Sequence, residues 1–209
     1  MMQRRHLITA SSALAFAAAL SPMAAHAASP EGPDALIKRL STEVLQAVRA
    51  DASIKAGELG RITELVNRLV LPHVNFRRMT AASVGPAWRS ATPAQQTRLQ
   101  DEFKQLLVRT YAGALAQVTD QTIVVRPLRA GTGDKDVLVR TEIQGRGDPV
   151  QLDYRLEKTA EGDWKIYNFN VLGVWLVDTY RSQFAQEVNA RGVDGLIAAL
   201  AARNQAGGQ

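Results

Sequence analysis

The chain contains no cysteine and only three histidines. Without thiols there can be no disulfide, no thiolate nucleophile and no cysteine-ligated metal centre, so an exported form must rely on its core for stability. His6 and His26 fall within the first 27 residues, leaving His73 alone beyond them. That excludes a histidine metal cluster in the chain after residue 27. A serine-histidine triad would have to use His73, and no G-x-S-x-G elbow precedes it. Its place after Pro72 reads as a helix-end or surface histidine. Long apolar runs are also scarce, and beyond the N-terminal segment none reaches bilayer-spanning length. Nor does charge of one sign dominate, with 25 basic residues against 20 acidic ones. The basic residues are dispersed and do not form the stripe with interleaved aromatics that nucleic acid binding requires. A mild attraction to anionic membrane surfaces or lipid phosphates fits this balance.

What is present begins with Arg4 and Arg5, an apolar run from Leu7 to Leu20 without an acidic residue, and the ending Ala25-His26-Ala27. A charged n-region, a short h-region and an A-x-A ending read as a cleavable secretory signal peptide over residues 1–27. The Arg4-Arg5 pair also admits a twin-arginine export signal. No cysteine follows the cleavage point, which excludes lipidation there. Residues 28–203 read as one domain, and residues 204–209, NQAGGQ, read as a disordered tail.

The domain changes period halfway along. Pro33 or Asp34 opens a helix whose stripe is Leu36, Ile37, Leu40, Val44 and Val48. A second helix carries Ile62, Leu65, Val66 and Leu69 and stops at Pro72. A polar and aromatic passage with Phe76, Met79 and Trp88 follows. Thr92, Pro93 and Gln95 then form a capping-box start. The helix they open repeats Leu99, Phe103, Leu106, Leu107, Tyr111, Ala114, Leu115 and Val118, an apolar face about 39 Å long at 1.5 Å per residue. From Gln121 the period is two. Ile123 and Val125 mark a first strand, Val137, Val139, Thr141 and Ile143 share a face of a second, and Leu152, Tyr154 and Leu156 share a face of a third. Trp164 to Val171 is the fourth, with Tyr167, Phe169 and Val171 alternating with Asn168 and Asn170. Hairpin-length turns separate the strands. The fold class is therefore α+β: a four-stranded antiparallel meander covered by several helices on one face. After Gly173 a helix with Val177, Tyr180, Phe184 and Val188 runs to about Ala190, Gly192 stops it, and Val193 to Arg203 forms a terminal helix.

Catalytic signals are weak. Glu142 and Asp153 imitate a carboxylate pair, but Arg140 and Arg155 beside them read as a solvated cross-strand charge ladder. Gly131-Thr132-Gly133-Asp134 lacks the helix and lysine of a phosphate loop and reads as a turn. Tyr111, Tyr154, Tyr167 and Tyr180 with the apolar stripes fit either a filled core or a cavity for an apolar ligand, and periodicity alone leaves both open.

Leu71-Pro72-His73-Val74-Asn75-Phe76 with Met79, Val84-Gly85-Pro86-Ala87-Trp88, Phe103-Lys104-Gln105-Leu106-Leu107 with Tyr111, Trp164-Lys165-Ile166-Tyr167-Asn168, and Gly173 to Phe184 with Tyr180-Arg181 form an ordered set. That set resembles the MlaC family over roughly Asp34 to Arg203. These are the periplasmic phospholipid-binding proteins of the Mla lipid-asymmetry system, also called toluene-tolerance auxiliary proteins. The chain departs from the commoner pattern at Asn75 and Asn168, where aspartate is frequent, and at Trp175, where serine is frequent.

The resemblance implies a non-enzymatic periplasmic carrier, NTF2-like in general shape, without cofactor. It implies phospholipid as ligand, an outer-membrane MlaA-porin complex and an inner-membrane MlaD-containing ABC transporter, MlaFEDB, as partners, and passing contact with membrane surfaces. With periodicity it points to a lipid pocket made by Phe103, Leu107, Tyr111, Val139, Leu152, Tyr154, Tyr167, Val171, Gly173, Leu176 and Tyr180. A hopanoid carrier, a periplasmic chaperone and an NTF2-like enzyme are the other uses such a cavity admits.

Overall fold

The computed structural model of the protein describes residues 31–129, 131 and 133–206. The expected signal peptide and the last three residues of the expected tail lie outside these. Helix α1, Pro33–Ala50, has Pro33 at its first position and Asp34 in its first turn, which suits the positive end of the helix dipole. The short α2, Ala52–Lys55, is capped by the Asp51 carboxylate on the Ser53 and Ile54 N–H groups. Helix α3, Leu59–Leu65, passes into a π turn over Val66–Val70 and a 3₁₀ turn over Leu71–His73 at Pro72.

The polar and aromatic passage then proves helical. Helix α4 covers Phe76–Val84, with the Asn75 side chain accepting from Arg78 N–H at 3.0 Å. Its buried residues Met79, Thr80, Ser83 and Val84 share one face at helical spacing, but two of the four are polar, so the face is not a purely apolar stripe. Thr80 and Ser83 satisfy their hydroxyls on carbonyls one turn back. After Gly85–Arg89, a 3₁₀ turn, the expected capping box opens α5, Pro93–Ala116.

The strands are β1 Thr122–Val125, β2 Asp136–Val139, β3 Thr141–Gln144, β4 Val150–Lys158, β5 Trp164–Val171 and β6 Val174–Trp175. All pair antiparallel in the order β1-β3-β4-β5-β6, with β2 on the other half of β4. Val139 faces Tyr154 and Glu142 faces Gln151 in one continuous register, so β2 and β3 are the expected second strand interrupted at Arg140. The Asp153 side chain causes the break, accepting the Thr141 N–H at 3.1 Å while the Thr141 hydroxyl bonds the Leu152 carbonyl. Asp153 is 3% exposed, so it is not part of a solvated ladder, whereas Glu142 pairs with Arg126. The meander order stands, with β6 as an added edge.

A bulge separates the two halves of β5. Arg155 faces Asn168 but Leu156 faces Ile166, which leaves Tyr167 as the extra residue. Tyr154 and Phe169 therefore share the apolar face, and Tyr167 does not. Its hydroxyl donates to Asp136 at 2.7 Å, and the Arg78 guanidinium lies 3.5 Å over its ring. The expected alternation of Tyr167 with Phe169 and Val171 fails at this inserted residue.

Helix α6, Leu176–Ala206, breaks at Gly192, where φ is +68°, a conformation open to glycine. The tail expected to be disordered is helical as far as Ala206. Asn204 is buried and donates to the Glu102 carbonyl at 3.0 Å and carboxylate at 2.7 Å, tying the chain end to α5.

Three packed clusters result. Leu36, Ile37 and Leu40 of α1 cover Val137, Val139, Tyr154, Leu156 and Ile166 of the sheet. Phe103 and Leu106 of α5 pack with Met79 of α4 and Val177, Tyr180 and Phe184 of α6. Val108 and Ala112, on another side of α5, pack with Val48, Ile54, Ile62 and Leu65. Helix α5 is long because it is a wall of two cores at once.

Candidate functional site

A groove of about 520 Å³ opens where α5 and the start of α6 diverge beside β6. Leu106, Tyr111, Val174, Leu176 and Tyr180 supply apolar and aromatic wall, and Arg109, Thr110, Thr179, Gln183 and Arg203 supply polar groups. No acidic residue lines it. The wall is continuous with the α4-α5-α6 core: Tyr180 stands edge-on to Phe103 with centroids 4.9 Å apart, and Phe103 meets Phe184 at 5.2 Å. Such a rigid aromatic floor keeps the groove open.

The turn that delivers β6 to the groove is tight. Leu172 and Gly173 both have positive φ, +52° and +86°, and Asn170 Oδ1 accepts the Gly173 N–H at 2.9 Å. From there Asn168 Oδ1 accepts Val177 N–H at 3.1 Å, so a side chain of β5 caps the first turn of α6. Trp175, between them, lies against the Arg155 guanidinium, 4.8 Å from ring centroid to guanidinium carbon. It thus packs on the polar side of the sheet and is not among the groove-lining residues.

The eleven candidate residues separate into groups. Tyr111, Leu176 and Tyr180 line the groove together. Phe103 lies behind it and is fully buried, while Leu107 and Val171 pack half-buried against the same core. Gly173 forms the turn into β6. Val139, Leu152 and Tyr154 belong to the core between α1 and the sheet. Phe169 touches both cores and meets Tyr154 edge-on at 5.6 Å, which makes it the seam between the two sets. Tyr167 stands apart on the polar face with Asp136 and Arg78.

Sequence reasoning did not single out Leu106, Val174, Phe169, Arg109 or Arg203 for the site. Leu106 and Phe169 were visible as apolar positions on the right stripes. Arg109 and Arg203 had no local signal, since they meet one groove only after α6 folds back along α5.

Two phenols, Tyr154 and Tyr111, have their ionisation pushed up. Burial pushes Tyr154 up to about 12, against smaller opposing effects of hydrogen bonds with Ser41 and Thr141. Burial, then Tyr180, raises Tyr111. His73 is lowered, first by burial and then by the charges of Arg39 and Lys165. Among the described residues no cluster of three or more His, Asp or Glu forms that could hold a metal. The groove is suited to holding an amphiphile by shape and polarity rather than to acid-base chemistry.

Comparison with known proteins shows the family of the chain. A family profile described as MlaC protein matches residues 38–202. The toluene tolerance protein ttg2D of Pseudomonas putida is 29% identical over 164 residues, covering 78% of this chain and 75% of the relative. The intermembrane phospholipid transport system binding protein MlaC of Haemophilus influenzae is 23% identical over 168 residues, 79% of this chain and 78% of its own. Among solved structures, the phospholipid-binding protein from Ralstonia solanacearum, determined in complex with a phospholipid, is 41% identical with a TM-score of 0.82, covering 87% of this chain and 100% of its own. With the family profile spanning most of its length, the chain belongs to the MlaC family.

Proposed function

We propose that this protein is a phospholipid carrier whose apolar groove shields acyl chains from water. The observation that carries this reading is the match to the phospholipid-bound Ralstonia protein along that protein's whole length, joined to a groove in this chain with an apolar aromatic wall and no acidic lining residue. The acyl chains enter between Tyr111 and Leu106 of α5 and Leu176 and Tyr180 of α6. The half-buried Leu107, Leu152, Phe169 and Val171, packed between the groove and the two cores, are the residues we assign to the deeper part of the acyl-chain path.

The physical need for such a carrier is large. At about 0.8 kcal/mol per buried methylene, a diacyl lipid with about thirty methylenes faces a barrier on the order of 20 kcal/mol to cross water unaided. Groove and bilayer are both apolar, so transfer between them is close to balanced and its direction is set by the partners. The carrier itself performs no covalent step. On this reading residues 1–27 are an export leader, and the carrier works in the periplasm, shuttling between an outer-membrane MlaA-porin complex and the inner-membrane MlaFEDB transporter to maintain outer-membrane lipid asymmetry. Among the described residues no helix is long and apolar enough to cross a membrane, which is consistent with a shuttle that is not anchored by the domain itself.

Native mass spectrometry of protein purified from a bacterial periplasm tests this. Bound species with phospholipid masses, and uptake of labelled phospholipid from vesicles, are expected. A protein that carries no lipid from the cell and takes none from vesicles overturns the carrier reading.

A further inference from the structure

We infer that the polar lining of the groove holds a clamp for a lipid phosphodiester, with Arg109 from α5 and Arg203 from the end of α6 as its two cations. This rests on the carrier reading above and adds to it a defined seat for the headgroup. Arg109 is half-buried, and its Nη1 is buried without a hydrogen-bond partner among the described residues. Arg203 is exposed, and its guanidinium touches only a neutral acceptor, Gln183 Oε1, at 3.3 Å.

Neither arginine joins an ion pair among the described residues, whereas Arg39, Arg61, Arg78 and Arg98 each hold a carboxylate. Arg109 also lines a smaller polar cavity of about 260 Å³ with Glu102, the one acidic residue lining either space. That carboxylate is already engaged, Oε1 by Arg98 at 2.7 Å and Oε2 by Asn204 at 2.7 Å. Its charge is therefore answered locally, and the guanidinium of Arg109 is left over.

A buried guanidinium N–H without an acceptor is unfavourable, and an anion that supplies one relieves it. The planar fork of arginine matches the oxygens of a phosphate better than an ammonium does. A diacyl phosphodiester presents an apolar part to Leu106, Tyr111, Leu176 and Tyr180 and an anion at the next point along its length. The lining of this groove offers both characters, an apolar wall and two arginines. The shared ligand chemistry is a phosphate oxygen cluster, and the occupant is the lipid-borne form, because only a lipid fills the apolar wall as well.

The test is competitive loading from vesicles holding equal amounts of phosphatidylglycerol and diacylglycerol with the same acyl chains, with the bound lipids quantified by mass spectrometry. The full chain, exported and stripped of lipid, is expected to load the phosphodiester at least about tenfold over the neutral lipid, the scale of one charge-assisted contact pair. In the double variant Arg109→Gln with Arg203→Gln that ratio is expected to fall to near one, and Arg203→Gln alone, at an exposed position, to lower it several-fold. Excess inorganic phosphate is expected to leave the wild-type ratio unchanged. A wild-type ratio in loaded Arg203→Gln and in the double variant overturns the clamp alone, and so does a ratio abolished by inorganic phosphate, which would mark a free-anion site. A wild-type chain that loads neither lipid overturns the carrier reading and the clamp with it.

Discussion

Leu172 is held at φ +52° with two-thirds of its surface exposed, 66%. A left-handed conformation costs a residue with a Cβ about 1–2 kcal/mol, and asparagine tolerates it better than leucine because its short polar side chain bonds locally. Leu172→Asn is therefore expected to raise stability by about 1 kcal/mol, read as a higher urea midpoint of the stripped protein. A lower midpoint would mean that the exposed leucine makes contacts worth more than its strain. Tyr154 carries the opposite kind of tension. Its phenol is pushed up to about 12 by burial, so the folded state keeps a proton that the unfolded state gives up near pH 10. The stabilisation it provides is complete below about pH 10 and is lost as pH rises from there through about 12, at up to about 1.4 kcal/mol per pH unit. Tyr154→Phe is expected to flatten the alkaline fall in the denaturation midpoint. Tyr111 and Tyr167 are raised in the same direction and leave a residual slope. A Tyr154→Phe profile parallel to wild type would show that the phenol titrates alike in the folded and unfolded chain.

Between elements, the cap that Asn168 of β5 places on Val177 of α6 fixes where the helix leaves the sheet, and with it one wall of the groove. Both partners are buried, so Asn168→Ala leaves a buried N–H unsatisfied and is expected to cost about 2 kcal/mol. The exposed Thr92→Ala at the capping box of α5 is expected to cost about 1 kcal/mol. Chemical denaturation of both variants checks the order, and an Asn168→Ala loss no greater than that of Thr92→Ala would remove the strand-borne cap as a determinant. The contrast also explains what was legible in the sequence. Pro33, the Thr92-Gln95 box and Gly192 act within a few residues, and each marks the boundary expected from it. The break at Arg140 depends on Asp153 thirteen residues on, and the bulge at Tyr167 depends on partners in β2 and α4. No local period carries such information. Helix α4 is hard to read locally for a related reason: packing against α5 and α6 buries the polar Thr80 and Ser83 on the same face as Met79 and Val84.

At the scale of the molecule, the sequence marked the right stripes but could not divide core from groove. Phe103 and Tyr111 lie on one apolar stripe of α5, yet Phe103 is fully buried and Tyr111 lines the opening, because α6 stays close to the first and diverges from the second. The same division separates two substitutions that look alike on paper. Val139 is 1% exposed between α1 and the sheet, so Val139→Asp buries an unpaired charge and is expected to unfold the domain whether or not lipid is present. Tyr111→Asp places its carboxylate at the half-buried groove wall, where water remains within reach while an acyl chain is repelled. A ligand that binds only the folded state adds about 2.7 kcal/mol at a hundred times its dissociation constant. Lipid-loaded wild type is therefore expected to unfold at a higher urea concentration than stripped protein by about that energy. In Tyr111→Asp the loaded and stripped curves should coincide near the stripped wild-type midpoint. If the variant still gains the full increment from lipid, the acyl chains lie elsewhere, and the space toward Leu152 and Phe169 becomes the place to look. If it unfolds as readily as Val139→Asp, Tyr111 belongs to the core and the wall of the groove has been drawn one residue too far.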